Sequence, residues 1–232
     1  MKNPFLSPTL MKYPPLIMLF ASVFLAASGV AQQSMISVRP MALQAGEMPE
    51  IHLMGENGRQ PVTFSAAQPG EPILARTATP LPLYESRTDP EGNREWVVSQ
   101  RVRIPAGARE ILLLGWPSGD GARYIAIADD FSQARFNDWL LINASSRSVA
   151  FAAGEEARPV VVRPGNSDTH RFNLRENEGV AVRAYTPVND EPTVFYSTYW
   201  PVRQDRRSVI LFADDGERIL VRRIADRLAK SR

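Results

Sequence analysis

Two pairs of adjacent carboxylates, Asp129-Asp130 and Asp214-Asp215, are the residues of this chain whose types most readily suggest chemistry. Each pair closes a segment that opens on Trp-Pro. Trp116-Pro117 leads through Arg123 to Ala128-Asp129-Asp130, and Trp200-Pro201 leads through Arg207 to Ala213-Asp214-Asp215. Paired carboxylates can hold calcium, which takes several oxygens from one loop, or act as acid and base on a substrate. Calcium loops present ligands at alternating positions, and no second acidic cluster lies close to either pair in the sequence. Adjacent residues of a strand point to opposite faces, so neighbouring carboxylates do not share one substrate. The pairs are therefore expected to end strands and form turns, with Asp215-Gly216 making a hairpin.

The remaining chemistry-bearing residues are few. His52 sits in the alternation Ile51-His52-Leu53, which predicts a solvent-facing side chain, and His170 lies in a polar segment. No Gly-x-Ser-x-Gly elbow is present. The absence of cysteine removes thiol nucleophiles, iron–sulfur clusters and thiolate zinc sites together. No catalytic residue, cofactor site or metal site is predicted, and the chain reads as a non-enzyme. Among the four tryptophans, Trp116 and Trp200 occupy matching places in the two Trp-Pro segments and are predicted to plug the cores of two similar units. The densest aromatic group is Tyr196, Tyr199 and Trp200. Tyr196 and Tyr199 are the first candidates for a binding surface. Arg203 and Arg206 in the following turn and Arg222 on the last strand are the cationic candidates beside them. The alternative for these arginines is ion pairing with Asp205, Asp214, Glu217 and Asp226.

The elements that would carry these residues are strands. Short runs of β-branched and aromatic residues alternate with turn residues such as Glu56-Asn57-Gly58, Pro164-Gly165-Asn166 and Asp215-Gly216. Eight strands are predicted in each half. They include 36–39, 50–54, 95–104, 110–116 and 123–128 in the first, and 139–143, 148–152, 179–185, 193–200, 207–213 and 218–224 in the second. The proline-rich stretch 69–82 should supply only loops and edge strands, because proline cannot donate to a ladder. A helical turn is expected at 131–135 and a short helix at 226–230. With the repeat at an offset of 84 to 85 residues, the fold class is all-β. Two tandem, similar β-sandwich domains of immunoglobulin-like type are expected at 32–130 and 131–232, the second with a short C-terminal tail.

The first 31 residues read as an export signal. Lys2 and Lys12 precede an apolar stretch at 16–27, and Gly29-Val30-Ala31 offers the small residues a signal peptidase needs, with cleavage before Gln32. Met11 is an alternative start. The stretch is shorter than the ~20 residues of a spanning helix, so no membrane span is expected in the mature chain. Of 27 basic residues, two fall in this segment, which leaves 25 against 25 acids. A neutral mature chain gives no electrostatic case for nucleic acid as a partner.

The block Trp139-Leu140-Leu141-Ile142-Asn143-Ala144-Ser145-Ser146 through Val149, with Tyr196 to Arg203 and Asp205-Arg206-Arg207, resembles an uncharacterised family of exported bacterial β-rich proteins. The resemblance covers residues 124–225 best. It implies a bacterial envelope location, periplasmic or extracellular, and assigns no binding or catalytic residue. The functional expectation is a non-enzymatic envelope protein acting through protein–protein contacts. The alternative is a carbohydrate-binding module using the aromatics near Tyr196 to Trp200.

Overall fold

A computed structural model describes residues 34–119, 121–155, 157–188 and 191–228. Residues 1–31, read above as an export signal, lie outside the described residues. The first half contributes β1 (Met35–Ala42), β2 (Ile51–Gly55), β3 (Gly58–Val62), β4 (Ile73–Arg76), β5 (Leu81–Thr88), β6 (Arg94–Val102), β7 (Glu110–Ser118) and β8 (Gly121–Ala128). A 3-10 turn at Phe131–Gln133 follows. The second half contributes β9 (Asp138–Asn143), β10 (Val149–Ala153), β11 (Val160–Val162), β12 (Ser167–Arg171), β13 (Gly179–Val188), β14 (Glu191–Pro201), β15 (Arg206–Asp215) and β16 (Arg218–Arg227). The segment predicted as a short helix at 226–230 instead begins inside β16, because Asp226 and Arg227 continue its pairing with Arg207 and Arg206.

Four four-stranded sheets result, in the orders β3-β2-β5-β6, β4-β1-β7-β8, β12-β9-β15-β16 and β11-β10-β13-β14. The second pair repeats the first strand for strand. Even the register shifts match: β5–β6 is irregular between Leu83 and Tyr84, and β13–β14 between Ala184 and Tyr185. Two sandwich-like units are thus built to one plan.

Alternation along the inner strands explains how the layers stack. On β7, Ile111 and Leu113 enter a core with Ile51, Leu53, Leu81 and Leu83 of the first outer sheet. Leu112 and Leu114 point the other way and pack on Leu140, Ile142, Val209 and Leu211. On β9 and β15, Trp139, Leu141, Ile210 and Phe212 enter a third core with Phe151, Val182 and Trp200. The inner sheets are therefore buried on both faces, which requires continuous apolar runs rather than alternating ones. Ile111 to Leu114 and Val209 to Phe212 are such runs. Both contribute to parallel ladders, β7 with β1 and β15 with β9. Each buried leucine-sized side chain contributes about 1.5–3 kcal/mol, and from Gln33 onward the chain forms one unit.

The repeat seen in the sequence is out of step with this repeat by one strand. Trp116 lies on β7 but Trp200 on β14, and Arg123 on β8 but Arg207 on β15. Register shows the true correspondence. Leu112 faces Ile127 as Val209 faces Ile224. The repeated sequence is Ile127-Ala128-Asp129 and Ile224-Ala225-Asp226, 97 residues apart. The tryptophans accordingly differ in role. Trp200 is in the core of the second sandwich, whereas Trp116 is only half-buried and belongs to none of the three cores. The large plug of the second core is Trp139, whose indole donates to the Phe136 carbonyl at 3.2 Å. At the end of β9, Asn143 and Ser145 are buried on either side of the exposed Ala144. The Asn143 amide donates to the Arg147 and Val162 carbonyls at 2.8 Å each, and its oxygen accepts from Ser145 N and Oγ.

Candidate functional site

The two repeat-equivalent aspartates meet in the layer between the sandwiches. Asp129 follows β8 and Asp226 lies on β16, and both are buried. Arg39 from β1 donates through Nη1 to Asp129 Oδ2 at 3.3 Å, and through Nη1 and Nη2 to Asp226 at 2.9 and 2.5 Å. Arg207 from β15 donates through Nε to Asp226 at 2.9 Å and through Nη2 to Asp129. The four groups form a closed ring with no net charge. Phe131 covers it, its ring centre 3.5 Å from the Arg39 guanidinium. Burial works against the Arg207 charge, and the two carboxylates more than restore it. Asp129-Asp130 does end β8 and lead into the 3-10 turn, as expected; the sequence reading did not anticipate that Asp129 is also an ion-pair partner, because Arg39 and Arg207 reach it from strands remote in sequence. Asp214-Asp215 does end β15 at a hairpin, closed by Gly216 at φ +59°.

Both carboxylates of the ring are neutralised by arginine, and a cavity of about 280 Å³ lined by Arg39, Phe131, Asp226 and the loop at 68–72 lies beside it. Asp138 is held below the usual carboxylate range, chiefly by hydrogen bonds from Arg171, with burial opposing. Its bidentate contacts at 2.6 and 2.9 Å tie β9 to β12. Among the described residues, no group of three or more His, Cys, Asp or Glu side chains is placed to hold a metal. A surface recess of about 950 Å³ is lined by Ser34, Thr77, Arg103, Arg109 and neighbours, with neither carboxylate nor imidazole.

The predicted surface residues are not brought into one site. Tyr196 is half-buried against Trp200, ring centres 5.8 Å apart. Tyr199 is 67 % exposed and lies over Gly179, where a Cβ would fall 1.9 Å from its ring. It shields a glycine on the neighbouring strand, a recognised way to repair such a position. Trp200 is 9 % exposed, so Tyr199 stands as a single exposed ring of that group. Arg203 is exposed, and Arg206 pairs with Asp205 at 2.7 Å. Arg222 donates to the Leu43 carbonyl at 2.8 Å and to that of Ala66, tying β16 to loops of the first half.

A surface that the sequence reading missed lies on the outer faces of the two outer sheets. Register aligns Val161, Ala150, Tyr185 and Val194 in one row across β11, β10, β13 and β14. Val161 and Val194 are 63 % and 48 % exposed. The next rows add Ala152, Arg183 and Ser197, then Ala181 and Tyr199. Arg183 is the sole charge in these three rows, and no ion pair to it is formed among the described residues. The corresponding row of the first sandwich is Pro61, His52, Tyr84 and Val98. That row is covered by its own neighbours. Trp96 packs edge-on against His52 at 4.6 Å, and the Arg59 guanidinium lies over Tyr84 and Trp96 at 5.2 and 5.0 Å. His52 does occupy the outer face, as its alternation predicted, but under this cover it is only 7 % exposed rather than solvent-facing. Edges differ in the same sense. β6 carries Arg94, Glu95 and Arg101, whereas β14 has no charge from Thr193 to Trp200.

The chain matches no protein-family model, and a search of curated proteins finds none that matches it.

Proposed function

We propose that the mature chain is a non-enzymatic protein of the bacterial cell envelope. In this reading it is exported by the segment ending at Ala31 and built of two immunoglobulin-like sandwiches. It acts by holding a partner protein against the outer face of its second sandwich. One observation carries this reading. The same structural row is covered by aromatic and guanidinium groups in the first sandwich and left bare in the second. Contiguous exposed apolar surface rimmed by polar groups is the mark of an interaction site. The lone Arg183 specifies the partner further: a flat apolar protein surface carrying a carboxylate that reaches the guanidinium. A charge-assisted bond of this kind is geometrically selective.

The test uses the exported protein as bait in envelope extracts. A Val161→Asp/Val194→Asp variant is expected to lose a partner that the unaltered protein retains. The corresponding Val98→Asp variant should keep it, and Arg183→Glu should weaken it. Equal capture by the double variant would refute the proposal, as would retention of glycan alone.

A further inference from the structure

We infer that the outer face of the first sandwich holds a second, separate binding site, which recognises the carboxylates of an acidic glycan. Arg59 on β3 and Arg94 on β6 both place their guanidinium carbons 5.0 Å from the centre of the Trp96 ring. The two cations are thus no more than about 10 Å apart, one screening length at 0.1 M salt. Neither forms an ion pair among the described residues. Arg94 is oriented by Nε donating to Ser86 Oγ at 2.5 Å. Two cations gathered on one ring without a counterion repel each other, and an oxyanion relieves that repulsion.

The site is built rather than accidental. Trp96 is held against His52, whose Nε2 lies 3.5 Å from Glu50 Oε1. The other imidazole nitrogen, Nδ1, is buried and has no hydrogen-bond partner among the described residues. Stacked arginine turns its planar fork of N–H donors outward while its face stays on the ring, the geometry that suits a carboxylate. Met54, Tyr84 and Trp96, each only partly exposed and the two rings partly overlain by guanidiniums, supply a limited apolar surface on the same face. That combination matches a sugar presenting both C–H groups and a carboxylate, a uronate.

The experiment titrates the purified mature protein with three probes: an oligouronate, a neutral oligosaccharide of equal length, and inorganic sulfate. The indole N–H resonance of Trp96, assigned with Trp96→Phe, is the readout. The oligouronate is expected to shift that resonance and leave Trp139 unmoved. Arg59→Gln/Arg94→Gln should weaken binding at least about tenfold, the cost of one charge-assisted hydrogen bond, with an unchanged circular dichroism spectrum. Equal affinity for the neutral oligosaccharide would overturn the inference. So would equal affinity for inorganic sulfate, since the sugar would then contribute nothing. Unaltered binding by the double variant would do the same. None of these results bears on the partner surface of the second sandwich.

Discussion

Asp226→Ala is expected to destabilise the protein by about 3–5 kcal/mol, the cost of breaking a buried ion pair from one side. Asp226 accepts three hydrogen bonds from two guanidiniums, and the side chains of all four ring members are at most 5 % exposed. Removing it leaves Asp129 alone to neutralise both Arg39 and Arg207, so one positive charge is left buried. Arginine does not shed its proton to escape. The structure must instead open to admit water. The loss should appear as a fall in the urea midpoint with little change in slope, because the surface exposed on unfolding is similar. Replacing all four members with well-packed apolar residues should cost far less than this single change, since burying paired charges is itself expensive. A single variant as stable as the unaltered protein would mean that water already reaches the ring.

The second large effect is expected at Leu211. Its side chain is 3 % exposed and packs in the layer between the sandwiches with Leu112, Leu114, Leu140 and Ile142. Leu211→Ala should cost about 2–5 kcal/mol, the transfer term plus a cavity that two opposed sheets cannot easily collapse. Both sandwiches line this layer, so the variant should still unfold in one transition. A low first transition followed by a second at the original midpoint would show that the units are held together by something else.

Much of the architecture was legible locally. Turn residues and β-branched runs placed most strands, and the alternation at Ile51-His52-Leu53 put His52 on an outer face. The continuous apolar runs Ile111 to Leu114 and Val209 to Phe212 also carry a sign of burial on both faces. The true repeat was hidden because it is three residues long, Ile-Ala-Asp, while a chance match opening on Trp-Pro was longer and more conspicuous. The buried ring was illegible for a different reason. Arg39 and Asp226 are separated by 187 residues, and no local pattern marks an arginine as buried. The bare row of Val161, Ala150, Tyr185 and Val194 depends on strand order and register. Each residue alone reads as an ordinary strand position. The contrast with the covered row needs Arg59 and Trp96 to meet across the full width of the first outer sheet.

The most direct test of the proposed docking surface on the second sandwich uses a photoreactive residue at either of two structurally matched positions, 194 and 98, in the full chain produced in intact cells. Val194 and Val98 occupy the same place in the two copies of the fold, one opposite Tyr185 and the other opposite Tyr84. Irradiation is expected to give a discrete protein adduct from position 194 and none from position 98. Equal adducts from both positions, or none from 194, would contradict the assignment.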